Sequence, residues 1–207
     1  MDVKPADFFI GVADLFSIFL PGALLSYLLL DVARRDIIGQ ILPAIASEAA
    51  NWMAFILAAY LFGHFASLIG AAFLDRIYDR TFVKYKRRHG DHLYHYACTI
   101  KADALGRDDK ISNTYKWARA FIRLRSAESA TEIERLEADS KFFRSVSVVL
   151  PVAAIVFAAK GGWIISLAAA AMTILSFWRF VDLRWKCTQA TYLFLAMLQA
   201  QSAPNPD

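Results

Sequence analysis

The sequence predicts an all-α integral membrane protein, with four transmembrane helices and a cytoplasmic helical insert between the second and the third. Three observations carry that expectation. The 207-residue chain is 57% hydrophobic and 14% aromatic, with a mean hydropathy of +0.38. Charged residues make up only 20% of it and fall in blocks, whereas a soluble domain scatters its charges along amphipathic elements. Four apolar runs, 8–30, 52–74, 142–159 and 163–181, approach or exceed the length that crosses a hydrocarbon core.

The first run would be about 34 Å long as a helix and carries one charge, Asp14. An acid at the bilayer midplane costs about 2.5 to 3.5 kcal/mol on insertion scales, so Asp14 needs a reason. Three reasons stay open. Asp7 and Asp14 share a helix face, so residues 5–13 can lie along the inner surface and leave Asp14 near the headgroups, with the span proper at 15–30. Asp14 can instead line a polar path or a subunit boundary, or pair with His64, which sits in the middle of the second run. Pro21 and Gly22 mark a candidate hinge in the same helix. Asp2 and Asp7 precede the run and no small-residue cleavage site follows it, so a retained helix is expected rather than a signal peptide.

Residues 31–51 connect the first two runs. Their apolar middle, 37–46, is too short to span and is either re-entrant, surface-lying or an ordinary helical connection. In the second run Ala59, Gly63, Ser67 and Ala71 recur every four residues. Such a stripe lets another helix backbone approach closely and predicts a packing seam, within the chain or between copies of it. Residues 1–74 therefore form an N-terminal membrane region, and a homo-oligomer is expected.

The insert, 75–141, has helical periodicity. Asp75 to His89 continues the second run outward and stops at Gly90, Asp91 caps a helix to about Leu105, and Gly106 to Asp109 make a turn. Ile111 to Arg125 puts Trp117, Phe121 and Leu124 on one face and Lys116, Arg119 and Arg123 on another. The next helix starts near Ser126, carries Glu128, Glu132, Glu134, Glu137 and Asp139, and runs on into the third span. Helices of opposite sign are expected to pair side by side. The rival expectation leaves the basic residues Lys116, Arg119 and Arg123, with the juxtamembrane cluster Lys84, Lys86, Arg87 and Arg88, to anionic lipid or a phosphate-bearing ligand.

The third and fourth runs form a transmembrane hairpin, 142–181, joined by Lys160, Gly161 and Gly162. Residues 182–207 continue as a cytoplasmic C-terminal helix and tail. With both termini in the cytoplasm, 20 of the 23 Lys and Arg residues lie inside, and the outside receives only Arg34, Arg35 and Lys160. Trp52 and Trp163 then mark the outer surface and Trp178 the inner one.

Catalytic signatures are sparse. The two cysteines make no Cys-x-x-Cys, and no Gly-rich phosphate loop, His-Glu-x-x-His or Gly-x-Ser-x-Gly occurs. His89 and His95 lie about 240° apart around a helix, so the histidines of this stretch do not form a metal ladder. Neither a cofactor nor a metal is expected. Arg87-x4-His92 and Arg88-x6-His95 fit the loose spacing of HEPN-class ribonucleases, but Gly90 interrupts the helix that would present them. The basic cluster directly follows a span, which favours headgroups over nucleic acid as its partner.

The strings FFIGVADLFSIFLPGALL, EADSKFFRS and RFVDLRWK resemble a group of uncharacterised small multi-span bacterial inner-membrane proteins found beside phage-defence and nucleotide-signalling genes. The resemblance implies a membrane effector or sensor that acts as an oligomer on the bacterial inner membrane in antiviral defence, and it brings no catalytic residue. The expected function is a gated membrane-perturbing or pore-forming effector. The alternative is a scaffold or accessory subunit that recruits a cytoplasmic protein, and the third is a membrane-bound HEPN-like ribonuclease.

Overall fold

The computed structural model describes residues 15, 17–30, 48–84, 91–106 and 112–202, and these are helical apart from short connections. Asp14, Lys86, Arg87, Arg88, His89 and the segment 37–46 lie outside the described residues.

Helix α1 covers Ser17–Leu30. Helix α2, Glu48–Ile77, opens with an acid and closes on Arg76, which suits the helix dipole at both ends, and it runs into a π-helical stretch at Tyr78–Val83. Helix α3, His92–Leu105, starts where the Asp91 carboxylate accepts the Tyr94 amide at 3.2 Å, and ends at Gly106, whose φ of +62° few other residues tolerate. Helix α4, Thr114–Arg125, is capped by Asn113, whose side chain accepts the Tyr115 amide at 2.8 Å. Ser126 takes an extended backbone that stops α4, and its hydroxyl accepts the Ser129 amide at 3.2 Å, opening the next helix.

Helix α5, Ala127–Ala159, is about 50 Å long, and α6, Trp163–Ser202, about 60 Å. Between them the chain turns in three residues. The Gly162 amide bonds back to the Phe157 carbonyl at 2.9 Å and the Gly161 amide to that of Ala158 at 3.0 Å, a Schellman motif with Gly161 at φ +77°. Helices α2, α5 and α6 are each long and apolar enough to cross a membrane, and α1 is a shorter apolar helix over its described length.

The described residues fall into two compact units. An apolar unit is drawn from the described parts of 11–76 and 138–180, and a polar unit from those of 77–137 and 181–207. The apolar unit packs Leu28, Ala66, Val149, Ala153 and Ala169 at its centre and turns large apolar side chains outward, among them Phe73, Ile155, Ile164 and Leu167. The polar unit surrounds Ala97, Ile100, Ala118, Ile122, Ile133, Tyr192 and Leu195. It carries most of the charged side chains among the described residues.

Candidate functional site

The stripe of small residues on α2 organises the apolar unit. A Cβ added at Gly22 of α1 would fall on the carbonyl oxygen of Ala59 and the backbone of Gly63, and one added at Gly63 would fall on the carbonyl of Ile18. The two backbones therefore touch, and only glycine permits that approach. Pro21 and Ala59 are fully buried in this crossing. The candidate hinge, Pro21 and Gly22, and the first half of the seam, Ala59 and Gly63, thus come together within one chain.

The second half of the stripe receives a charge. Arg144 reaches from α5, near the start of the third apolar run, and donates from one terminal nitrogen to the Asp75 carboxylate at 2.7 Å and from the other to the Ser67 hydroxyl at 3.2 Å. Its aliphatic stem lies over Gly70, where a Cβ would come within 2.9 Å of Cγ. The side chains of Arg144 and Asp75 are 14% and 28% exposed, so the pair is largely withdrawn into the unit. Among the described residues, Arg144 Nε and Asp75 Oδ1 have no hydrogen-bond partner, so the guanidinium and carboxylate meet through single atoms rather than as a fork. A charge pair half-satisfied in an apolar setting is held by its geometry and is costly to break from one side.

This pair was missed at the level of sequence. Arg144 enters the sequence reading only among the 20 Lys and Arg residues placed inside, and Gly70 falls outside the four-residue repeat. A signal existed, since charges of opposite sign stand at the adjoining ends of consecutive antiparallel runs. Which partner each takes depends on the mutual rotation of α2 and α5, and sequence spacing does not encode that.

The remaining candidates are dispersed. Ala71 is half-buried one turn beyond Ser67. His64 is half-buried and meets Tyr60 edge-on, with ring centroids 4.5 Å apart, and its pairing with Asp14 lies outside the described residues. In the polar unit Arg119 bonds Glu137 at 2.6 Å, and Arg123 bonds Glu134, its Nε lying 2.8 Å from the carboxylate. Lys84 and Lys116 are exposed. His92 and His95 are exposed on α3, and no group of three or more His, Cys, Asp or Glu side chains among the described residues is placed to hold a metal ion.

One further polar contact ties the polar unit together. The Tyr115 hydroxyl and the buried Cys187 thiol lie 3.3 Å apart, and the Cys187 sulfur is 3.7 Å from the Ile133 carbonyl. Burial holds the Tyr115 phenol well above its ordinary pKa of 10, a neighbouring Cys187 pushes the same way, and Arg184, 5.9 Å above the ring, opposes them. The arrangement is that of a neutral structural tyrosine.

Comparison with known protein families, curated proteins and solved structures gives no match. The Arg144, Asp75 and Ser67 cluster is the strongest candidate site on its own geometry, an ion pair withdrawn among long apolar helices.

Proposed function

We propose that the chain is a multi-pass protein of the bacterial inner membrane and acts as a gated membrane-perturbing or pore-forming effector or sensor, with the Arg144–Asp75 pair as its latch. It crosses the bilayer four times, with α1 and the residues before it as the first span and both termini in the cytoplasm. The outward-facing apolar side chains of α2, α5 and α6 support the crossing. The single observation that carries the gating is the withdrawn ion pair between α2 and α5. It binds two spans to each other through one side chain, Arg144, whose bonds to Asp75 and Ser67 a conformational signal can break. Assembly into a homo-oligomer has to use faces other than Ala59 and Gly63, which α1 already occupies.

Liposomes loaded with a self-quenched dye test the latch without knowledge of the trigger. The wild-type chain is expected to leave them tight, Asp75→Asn or Arg144→Gln to leak, and the exchange Asp75→Arg with Arg144→Asp to restore tightness in part. Single variants that insert normally and keep the vesicles sealed would overturn the latch.

A scaffold that recruits a cytoplasmic protein is the second reading. One observation favours it: Leu124, on the basic helix α4, is 87% exposed. On that reading unrelated spans substitute for the apolar unit without loss of function, whereas an effector loses function on the same exchange.

A further inference from the structure

A planar cation lies on the bare backbone of α2. At Gly70 the Arg144 stem crosses so close that an added Cβ would stand 2.9 Å from its Cγ, 3.4 Å from its Cδ and 3.5 Å from its Nε. The side chain therefore runs along a floor that glycine leaves open. Beyond that floor the two terminal nitrogens part: Nη1 donates to Asp75 Oδ2 at 2.7 Å and Nη2 to the Ser67 hydroxyl at 3.2 Å. Ser67, Gly70 and Asp75 all belong to α2, so one helix supplies the floor and both acceptors, while the cation comes from α5. All four residues lie within the apolar unit.

The shape of this cradle suits a guanidinium. The donors of that group are spread over a rigid plane and reach acceptors on either side of Gly70, whereas the donors of an ammonium radiate from one atom. From within the chain the fit is incomplete. Asp75 Oδ1 and Arg144 Nε are buried and have no hydrogen-bond partner among the described residues, so the carboxylate is engaged through one oxygen only. A guanidinium carried by a separate molecule is not tied to the approach from α5. It can turn two parallel N–H groups to both carboxylate oxygens, the stronger bidentate arrangement. Asp75, 28% exposed, gives such a molecule access.

We propose that Ser67, Gly70 and Asp75 form a receptor for a guanidinium group, filled in the resting chain by Arg144 and open to a small guanidinium-bearing ligand that takes its place. The inference rests on the latch reading above and names the chemical class of ligand that releases the latch.

Chemical rescue reads the cradle directly. Arg144→Ala empties it, and in dye-loaded liposomes this variant is expected to leak. Millimolar methylguanidinium should slow that leak about tenfold, while methylammonium at the same concentration leaves it unchanged. Asp75→Asn or Gly70→Leu, added to Arg144→Ala, should abolish the response, the first by removing the charge and the second by filling the floor. In wild-type vesicles the sign reverses, because methylguanidinium then competes with Arg144 and raises leakage. Wild-type vesicles that stay sealed above the concentration that saturates the rescue refute the replacement of Arg144. Thermal melting of Arg144→Ala in detergent is a readout independent of leakage: methylguanidinium should raise the midpoint and methylammonium should not. No rise, or an equal rise with both cations, refutes the cradle. The two levels of failure separate. A variant that leaks and ignores methylguanidinium in both measurements keeps the latch and loses the cradle, while one that never leaks loses the latch and leaves the cradle to be decided by the midpoint alone.

Discussion

Leu195 and Leu28 are both almost completely buried, one in the core of the polar unit and one in that of the apolar unit, yet different forces hold them there. Around Leu195 the alternative to burial is water, so the hydrophobic effect drives the packing of α3 and α4 on the ends of α5 and α6. Around Leu28 the alternative, on the membrane reading, is a lipid tail as apolar as the core itself. What remains is close contact, which is why the apolar unit relies on Gly22 meeting Gly63 and on the bond from Arg144 to Asp75. The charges divide less cleanly. In the polar unit Arg123 with Glu134 sits at the surface and contributes well under about 1 kcal/mol, whereas Arg119 with Glu137, 27% and 15% exposed, is withdrawn to a similar degree as the apolar unit's pair. The apolar unit's pair of Arg144 with Asp75 is likewise withdrawn, and removing one partner should cost on the order of 3 kcal/mol.

The same substitution in the two cores sharpens this contrast most. Leu195→Ala is expected to destabilise the polar unit by about 2 to 5 kcal/mol, read from hydrogen exchange of the α3 and α4 amides in detergent. Leu28→Ala should cost about 2 kcal/mol less in the apolar unit, because the transfer from water drops out and only the cavity remains. Equal costs would show that both cores are folded against water.

A smaller effect is expected where the apolar unit is tightest. Gly63→Leu places a side chain into the Ile18 backbone, and overpacking of this kind costs about 1 to 3 kcal/mol. Thermal melts together with protease cutting between α1 and α2 would report it. Ala71→Leu, on the half-buried end of the same stripe, should be milder, and the reverse order would break the account of the crossing.

The smallest effect belongs to the polar unit and appears only at alkaline pH. Tyr115 has a folded-state pKa raised above its unfolded value of 10, so its contribution is fully present below pH 10 and is lost as pH rises through the folded value. The slope is at most about 1.4 kcal/mol per pH unit. Tyr115→Phe should flatten that part of the profile, followed by tyrosinate absorbance during alkaline unfolding. An unchanged profile would show that Tyr115 ionises as freely in the fold as outside it.

The long helices were legible because the sequence writes them in one dimension. Apolar runs gave α2, α5 and α6, Gly161 and Gly162 gave the turn, and Asp91 and Ser126 marked helix starts that the side-chain caps explain. The continuation of the acidic stretch into the third run was also readable, since nothing between Ser126 and Lys160 except Pro151 opposes a helix. Of the apolar run beginning at residue 8 only Leu15 and Ser17–Leu30 are described, as helix, so the surface reading of 5–13 stays with the sequence. That the basic α4 pairs with the acidic part of α5 was legible as well, but which residue takes which was not. That Arg119 takes Glu137 and Arg144 takes Asp75 follows from how neighbouring helices are rotated and staggered, quantities that emerge only once their apolar faces have packed. The π-helical stretch at Tyr78–Val83 left no signal either, since one extra residue in a turn resembles an ordinary α-helix in composition.

The Gly161–Gly162 turn has a consequence for how the chain is made. On the membrane reading, with only three residues between them and the last carbonyls of α5 bonded to the turn's own amides, the two helices enter the bilayer as neighbours. The turn and the Ser166 bond to Ala154 fix the register of the two rods, so a single residue added at the bend would misalign every layer packed across them.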